Sequence, residues 1–248
     1  VQNNMNTLII NNPFTDIYFN LAAEEFLLKN RPENILMLWQ NTPSVVLGKH
    51  QRVETEINLT YVKDKQIRIA RRYSGGGTVY HDLGNLNLTF IENTNVPDFE
   101  KYTRKTLEFL NSIGVQAQKD TRLGINIGHL KISGSAQCIY KTRCMYHCTL
   151  LYDTNLTALT ASLAVSRILP APKTGYSVAS VKSPVTNISK YLQYPPDTDD
   201  FKNQVLAFFL NTMPQKQIYN LNPDEINRVE QLKNEKYATT QWIFGKDF

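Results

Sequence analysis

The most restrictive feature of this sequence of 248 residues is a run of three glycines at positions 75–77, preceded by an arginine pair and followed by an apolar segment. Residues 71–87 read RRYSGGGTVYHDLGNLN. Glycine has no Cβ, so a ligand can lie directly on such a backbone. Successive N–H groups can hold an anion, while Arg71 and Arg72 supply fixed positive charge. The triplet alone is equally consistent with a plain turn, but the flanking Arg-Arg and His-Asp-Leu-Gly-Asn groups favour a binding site.

Composition is that of a soluble globular protein, with 42% hydrophobic and 20% charged residues. The length predicts one large domain, or one domain with a small appendage. No run approaches the roughly 18 apolar residues of a membrane span, so no membrane insertion is expected. Residues 1–6 lack a basic region followed by an apolar one, so no secretory signal is predicted, while a presequence already removed is left open by a chain that begins at Val1.

The charge balance is basic, with a net charge of +5, and residues 63–72 hold five basic side chains and one acid. Such a stretch could meet phosphates, an acidic protein or nucleic acid. A nucleic-acid partner is disfavoured, because aromatic residues are not interleaved there as a stacking surface requires. The three cysteines lie within residues 138–148, which suits a reduced compartment better than a disulfide framework. No zinc spacing joins them to the four histidines.

Apolar spacing and turn residues predict the order of the secondary structure. We predict helices over 16–30, 54–65, 98–113 and 156–163, and strands over 35–39, 44–47, 68–71, 86–91, 130–137 and 146–152. Residues 169–173 and 194–200 read as loops, 201–210 is amphipathic, and Asn222-Pro223 opens a further helix. Strands and helices mix without strict alternation, so the fold class predicted is α+β (mixed α/β) rather than a doubly wound parallel sheet.

Two further segments carry candidate chemistry. Lys131 stands in the octet LKISGSAQ, which contains no acid, and its ammonium can reach a phosphate or carboxylate as a compact charge. Taken alone, the octet favours a solvated lysine at the end of a strand. His147 stands in YHCTLL, and a lone strand histidine is more often structural than catalytic.

In order and spacing, the glycine segment, the Lys131 octet and the His147 strand resemble the lipoate–protein ligases and related lipoyltransferases of the biotin/lipoate ligase superfamily. Residues 179–187 and the closing Trp242-Ile-Phe-Gly245 resemble later segments of that family, so the likeness spans almost the whole chain. The resemblance implies one catalytic domain over residues 1–248, built of mixed, mostly antiparallel sheets flanked by helices. The small C-terminal accessory domain of longer ligases would be absent, or supplied by a separate polypeptide.

The resemblance implies a reaction in two steps. Lipoate's carboxylate attacks the α-phosphate of ATP to form lipoyl-AMP, and a lysine of an acceptor then takes the lipoyl group as an amide. The acceptors implied are lipoyl domains of 2-oxoacid dehydrogenase complexes and the glycine cleavage H protein. ATP and Mg²⁺ are the implied cofactors. The implied location is the cytoplasm, or the mitochondrial matrix in a eukaryote.

Matching the family motifs residue by residue implies that Lys131 is catalytic, between the acyl group and the α-phosphate. The residues implied to bind ATP or lipoyl-AMP are Arg72, Gly77, Thr78, Val79, Tyr80 and Lys131. Those implied to bind lipoate are Ser74, Gly75, Gly76, His81, Asn85, Lys131 and His147. No metal ligand is assigned.

The chain departs from the family at residues 121–124, which read Thr-Arg-Leu-Gly where many ligases carry Gly-Arg-Asn-Asp. Loss of the polar Asn-Asp pair weakens the case for magnesium near the phosphates, because that ion prefers oxygen ligands. One alternative is therefore a lipoyltransferase that uses preformed lipoyl-AMP and activates lipoate poorly. Another, of a different class, is a non-catalytic binder of lipoyl domains.

Two related kinds of enzyme are disfavoured by the residues present. Biotin ligases carry a Gly-Arg-Gly-Arg-x-Gly-Arg type of loop, which is not what stands at residues 71–77. Acyltransferases of the same fold that use a cysteine carry it before the equivalent of Lys131 or well downstream. Residues 114–130 contain no cysteine, and neither does the chain after Cys148, which is interpreted as a small buried hydrophobic residue.

Overall fold

The computed structural model describes residues 6–164 and 177–245. Its strands are β1 (Thr7–Asn11), β2 (Asn34–Trp39), β3 (Ser44–Leu47), β4 (Arg68–Arg71), β5 (Val79–His81), β6 (Asn85–Asn93), β7 (Gln118–Lys119), β8 (Ile125–Ile127), β9 (Leu130–Ser133), β10 (Ser135–Tyr140), β11 (Arg143–Leu151) and β12 (Lys216–Ile218). Its α-helices are α1 (Ile17–Asn30), α2 (Val53–Glu56), α3 (Leu59–Asp64), α4 (Glu100–Ser112), α5 (Leu156–Ser162), α6 (Thr198–Thr212), α7 (Pro223–Leu232) and α8 (Thr240–Phe244). A 3₁₀ turn covers Ile188–Tyr191, and a π-helical turn covers Lys233–Tyr237.

The main sheet has six strands in the order β10-β11-β6-β2-β1-β12. Strands β6 and β11 form its long antiparallel centre, paired from Asn85 opposite Leu151 to Asn93 opposite Arg143. Side chains alternate between the two faces of the sheet along each strand, and both faces are buried under helices. One face packs against α4 and α6, and the other packs against α1 and α7.

Helix α1 is buried along most of its length, from Ile17 to Leu28. It starts where predicted because the Asp16 side chain accepts from the Tyr18 N–H at 3.1 Å, which satisfies one of the free donors at the helix start. Helix α7 also starts where predicted. There Asn222 and Glu225 form a capping box, with Pro223 in the first turn.

Two smaller sheets complete the fold, with orders β4-β3-β5 and β7-β8-β9. Among the strands of the described residues, three pairings are parallel and six are antiparallel. This mixture confirms the predicted mixed α/β class. Within the residues described, no helix is both long and apolar enough to cross a membrane.

Three local predictions were wrong in detail. The helix predicted over 54–65 is divided into α2 and α3, because Asn58 caps a new helix by accepting from the Tyr61 N–H at 3.2 Å. The strand predicted over 130–137 bends at Gly134, whose carbonyl accepts from the Thr149 N–H at 2.9 Å, and so contributes to two different sheets. The loop predicted over 194–200 ends at Thr198, where Asp197 caps α6. The loop predicted over 169–173 lies outside the described residues.

Candidate active site

The glycine loop, residues 72–78, crosses the end of β3, because β4 and β5 lie on opposite sides of that strand. Gly48 directly follows β3, and a Cβ at this position would lie 2.0 Å from the carbonyl oxygen of Gly76. Gly76 itself has φ +86°, in the region that favours glycine. The crossing therefore requires two glycines distant in sequence, only one of which belongs to the triplet.

Arg72 braces this loop from inside. Its guanidinium donates to the carbonyl oxygens of Val46, Gly75 and Gly77 at 3.1, 2.6 and 2.7 Å, and to Ser74 Oγ at 3.0 Å. Burial lowers the pKa of Arg72 to about 10, which leaves it charged at neutral pH. The side chain also lines the cavity described below, so it adds positive charge to that cavity while its donors hold the backbone.

Arg71 binds backbone carbonyls, whereas the sequence suggested that it supplies positive charge for an anion. Its guanidinium donates to the carbonyl oxygen of Ile243 at 2.9 and 2.7 Å, to that of Gly48 at 3.0 Å and to that of Gln51 at 2.6 Å. In return, Trp242 Nε1 donates to the Arg71 carbonyl at 2.8 Å. Arg71 thus ties α8 to the start of the glycine loop, which gives the closing Trp-x-x-Gly segment a structural role.

Ser74 and His147 belong to a buried chain of hydrogen bonds that begins at Glu24. His147 Nδ1 lies 2.8 Å from Glu24 Oε1, and His147 Nε2 lies 2.8 Å from Ser74 Oγ. Thr89 also donates to Glu24 Oε1, at 2.6 Å. A carboxylate oxygen accepts hydrogen bonds, so His147 Nδ1 donates to Glu24, while Nε2 lies within hydrogen-bond distance of the Ser74 hydroxyl. Sequence reasoning missed Glu24, whose one signal was an acidic pair within an apolar helix.

His81 is buried and presents a free donor. Its Nδ1 accepts from Asn41 Nδ2 at 2.9 Å, whereas Nε2 has no partner among the described residues. Burial lowers the pKa of His81 to about 3, with Arg72 and His147 adding to the effect. The ring is therefore neutral near pH 7, and its Nε2 carries the proton. Since His81 lines the cavity, this N–H suits a neutral or anionic oxygen of a ligand.

Asn85 does not reach the cavity wall. Its Nδ2 donates to Asn87 Oδ1 at 3.1 Å, and Asn87 is the residue that lines the cavity. The neighbouring residues shape the backbone. Gly84 approaches the chain so closely that a Cβ would lie 2.1 Å from the Asp153 carbonyl oxygen, and Asp82 accepts from the Gly84 N–H at 3.0 Å.

These elements surround one open cavity of about 1530 Å³. Its walls are the glycine loop, the bend between β9 and β10, strand β11, helix α5 and residues 178–185. The predicted site residues that line it are Arg72, Gly75, Gly76, Gly77, Thr78, Val79, Tyr80, His81, Lys131 and His147. Ser74 lies fully buried behind that wall.

Lys131 is held through its backbone and ends in a partly exposed ammonium. Its N–H donates to the Pro184 carbonyl at 2.8 Å, and its carbonyl accepts from the Thr186 N–H at 3.0 Å, so β9 and residues 184–186 are joined at this residue. The side chain is 20% exposed, and its Nζ lies 3.4 Å from Asp120 Oδ2. Sequence reasoning did not name Asp120.

Residues 178–185 close the cavity beside the glycine loop. Ser180 Oγ accepts from the Thr78 N–H at 2.8 Å and from Gln51 Nε2 at 3.0 Å. Thr78 Oγ1 donates to Gln51 Oε1 at 2.8 Å. Gln51 and Ser180, neither of them predicted, therefore fix the loop where the chain turns toward β5.

The cysteines do not have the properties of a nucleophile. Burial raises the pKa of Cys148 to about 12, although this residue lines the cavity, and raises that of Cys138 to about 12. A nucleophilic cysteine reacts as the thiolate, which neither residue forms at neutral pH. The interpretation of Cys148 as a small buried hydrophobic residue is confirmed.

The side chains described do not by themselves form a closed magnesium site, although Glu54 and Glu56 place two carboxylates on the cavity wall. Among residues 6–164 and 177–245, no three His, Cys, Asp or Glu side chains are placed to hold a metal. Leu123 and Gly124 offer no side-chain oxygen. Asp120, the carboxylate beside Lys131, already accepts from two backbone N–H groups, both at 2.7 Å.

Comparison with known proteins defines the class. The family model of the lipoyl protein ligase A/B catalytic domain matches residues 16–210, and the chain belongs to this family. It is 36% identical over 244 residues to lipoate–protein ligase 1 of Staphylococcus aureus, covering 96% of this chain and 73% of that protein. It is 35% identical over 257 residues to the mitochondrial lipoyl amidotransferase of Homo sapiens, covering 97% and 66% of the two chains.

Solved structures agree with this assignment. A lipoate-protein ligase A bound with ATP superposes with a TM-score of 0.79 at 26% identity, covering 97% of this chain and 99% of that chain. A chain from the bipartite lipoate protein ligase and E2 lipoyl domain of Thermoplasma acidophilum gives a TM-score of 0.78 at 25% identity, with 97% and 96% covered. The family and fold implied by the sequence motifs are therefore confirmed, and the chain is an enzyme of the lipoyl protein ligase family.

Proposed function

We propose that this chain activates lipoate with ATP to give lipoyl-AMP and transfers the lipoyl group to a lysine of a lipoyl domain. The observation that carries the proposal is the position of Lys131, whose ammonium shares one cavity with the braced glycine loop. Two anions must meet for adenylate formation, so a site for them needs fixed cations and N–H donors. The known ATP-bound relative supports ATP as the nucleotide.

In this proposal each wall of the cavity has its own task. Lys131 faces the α-phosphate and the acyl oxygen, and so stabilises charge in both half-reactions. The loop from Gly77 to Tyr80 holds the nucleotide, with the buried Arg72 adding charge. Gly75 and Gly76 give the lipoyl chain a surface without side chains, and His81 offers its Nε2–H. His147 and Ser74 keep that surface in place, with Asn85 supporting it through Asn87.

The proposed acceptors are the lipoyl domains of 2-oxoacid dehydrogenase complexes and the H protein of the glycine cleavage system. The T. acidophilum relative, analysed together with an E2 lipoyl domain, supports the first of these. We place the reaction in the cytoplasm, or in the mitochondrial matrix of a eukaryote. Magnesium enters only as the cation that accompanies ATP.

Lipoate-dependent exchange of pyrophosphate into ATP tests the activation step. We expect exchange by the wild-type chain and a loss of at least about a hundredfold in Lys131→Ala, the scale seen when an oxyanion donor is removed. Lys63→Ala is the matched control, because Lys63 is an exposed lysine that does not line the cavity. Absence of exchange from a folded wild-type chain contradicts the activation step, and absence of transfer as well contradicts the whole proposal.

A second candidate function is a lipoyltransferase that uses preformed lipoyl-AMP. It is favoured by Leu123 and Gly124, which leave that turn without the polar pair of many ligases. The human lipoyl amidotransferase among its relatives is consistent with it. Transfer from synthetic lipoyl-AMP without pyrophosphate exchange identifies this function. The third alternative, a non-catalytic binder of lipoyl domains, is set aside because the chain belongs to a family of enzymes.

A further inference from the structure

The two carboxylate oxygens of Asp120 have different partners. Oδ1 accepts from the N–H groups of Arg122 and Gly124, both at 2.7 Å, and fixes the turn between β7 and β8. The Asp120 N–H also donates to the Gly124 carbonyl at 2.8 Å. With the turn and Oδ1 held in this way, Oδ2 points to Lys131 Nζ, 3.4 Å away.

Gly124 provides the space in which this ion pair lies. A Cβ at position 124 would be 2.5 Å from Asp120 Oδ2 and 2.7 Å from Lys131 Nζ. A side chain at 124 would therefore displace the ends of Asp120 and Lys131 from the pair observed here. This position lacks the acid of many family members, and the carboxylate of Asp120 stands where such a side chain would begin.

We propose that Asp120 is a positioning residue for Lys131, supplying from position 120 the negative charge that the glycine at 124 cannot supply. The inference rests on the proposed function, in which Lys131 contacts the acyl-adenylate. An ammonium has three donors, so one bond to Asp120 leaves two for the phosphate and acyl oxygens. Asp120 thereby sets the direction in which the remaining donors point.

The state of Asp120 agrees with this role. Burial acts to raise the pKa of Asp120, but the N–H groups of Gly124 and Arg122 and the Lys131 ammonium outweigh it and lower that pKa. The carboxylate is consequently ionised at neutral pH. Its side chain is 18% exposed, so solvent screens the pair only in part.

Asp120→Asn separates the two tasks of this residue. Asparagine keeps an oxygen for the Arg122 and Gly124 N–H groups and removes the charge that faces Lys131. We expect the single-turnover rate of transfer from lipoyl-AMP to a lipoyl domain to fall tenfold or more. AMP should bind the variant at least threefold more tightly, because the ammonium has lost its internal partner. A purely structural role would not produce opposite changes in rate and affinity.

Two further variants complete the test. Gly124→Ala places a methyl group against both charged ends and should slow transfer in the same way. Asp197→Asn is the control, since Asp197 also accepts a backbone N–H, from Asp200 at 2.8 Å, but at the start of α6. A transfer rate for Asp120→Asn within twofold of wild type, with AMP affinity unchanged, would overturn the inference.

Failure of the proposed function would be seen separately. If the wild-type chain transfers no lipoyl group, the proposed function is wrong, whereas the pair is still tested by AMP binding. In that case, tighter binding of AMP by Asp120→Asn than by the wild-type chain would still support the inference. It would show that an anion competes with the Asp120 carboxylate for Lys131. Equal affinity of the two proteins would then reject it.

Discussion

The carbonyl oxygen of Gly76 lies so near to Gly48 that a Cβ on Gly48 would be 2.0 Å away from it. The contact joins two backbone segments, and neither can move as a flexible side chain could. The position of the glycine loop is therefore fixed from outside the loop as well as by Arg72 within it.

We predict that Gly48→Ala displaces the glycine loop and destabilises the chain by roughly 2 kcal/mol or more, since overpacking against backbone forces a shift. Urea unfolding followed by circular dichroism measures this loss. Gly75→Ala is the matched comparison for stability, because nothing lies within 4 Å of its Cβ position. Equal stability of the two variants contradicts the role given to Gly48.

Stability should fall as His81 is forced to charge in acid. Its pKa is lowered from 6.5 to about 3, so between those values the unfolded chain binds a proton that the folded chain does not. The wild-type free energy of unfolding should therefore lose about 1.4 kcal/mol per pH unit from this residue as the pH falls through that window.

His81→Gln should remove that contribution, and His129→Gln, at an exposed histidine, should keep it. Urea unfolding at pH 4 and at pH 6 gives the comparison, in which other groups cancel. We expect the wild-type chain to lose about 2 to 3 kcal/mol more than His81→Gln over these two units. If the wild-type chain and His81→Gln lose the same unfolding free energy between pH 6 and pH 4, the ring takes up its proton as readily in the folded chain as in the unfolded chain. That result would contradict the prediction.

Glu24→Gln should weaken the buried chain of hydrogen bonds that ends at Ser74. The amide oxygen can still accept from Thr89 and His147, but it is a weaker acceptor than the carboxylate oxygen that now takes both bonds, so we expect a loss of about 1 to 3 kcal/mol in unfolding free energy. Lipoate affinity, measured by calorimetry, should fall as well, because Ser74 precedes the glycines. Glu100→Gln, at an exposed glutamate of α4, serves as the control. Unchanged affinity would limit Glu24 to a role in stability.

Turnover with a lipoyl domain should weaken as ionic strength rises. The chain carries a net charge of +5, and acidic acceptors would be attracted to it at low salt. The KM for the acceptor should rise with ionic strength, while the rate of pyrophosphate exchange should change less. Steady-state kinetics between 20 and 150 mM salt covers a change in screening length from roughly 20 to 8 Å. An acceptor KM that stays constant over this range excludes electrostatic steering.

Local signals predicted most of the fold. Helix α1 and strand β3 lie where apolar spacing and turn residues predicted them, and the structure adds that Asp16 caps the helix. The bend at Gly134 was not predictable in this way. A glycine inside an apolar octet is consistent with one continuous strand until its partner, Thr149 of β11, is known.

Contacts between residues distant in sequence also limited the prediction of the site. The glycine loop, Lys131 and His147 were found because each stands in a motif that resembles a family. Glu24 and Asp120 stand in none, and their roles arise from contacts made in the folded chain. Glu24 meets His147 across 123 residues of sequence, a distance over which no local pattern operates. Arg71 was misjudged because its side chain meets backbone carbonyls that are distant in sequence, among them that of Ile243, 172 residues away.

The bonds from Arg71 to Ile243 have a consequence for any shortened form of this protein. Removing α8 would take the Ile243 carbonyl from two nitrogens of the buried Arg71 guanidinium and leave it only the carbonyls on the other side, those of Gly48, Lys49 and Gln51. Arg71 is also the residue after which the glycine loop begins. We therefore expect the removal of α8 to reduce substrate binding first. A fluorescent nucleotide would report it before any bulk measure of unfolding did.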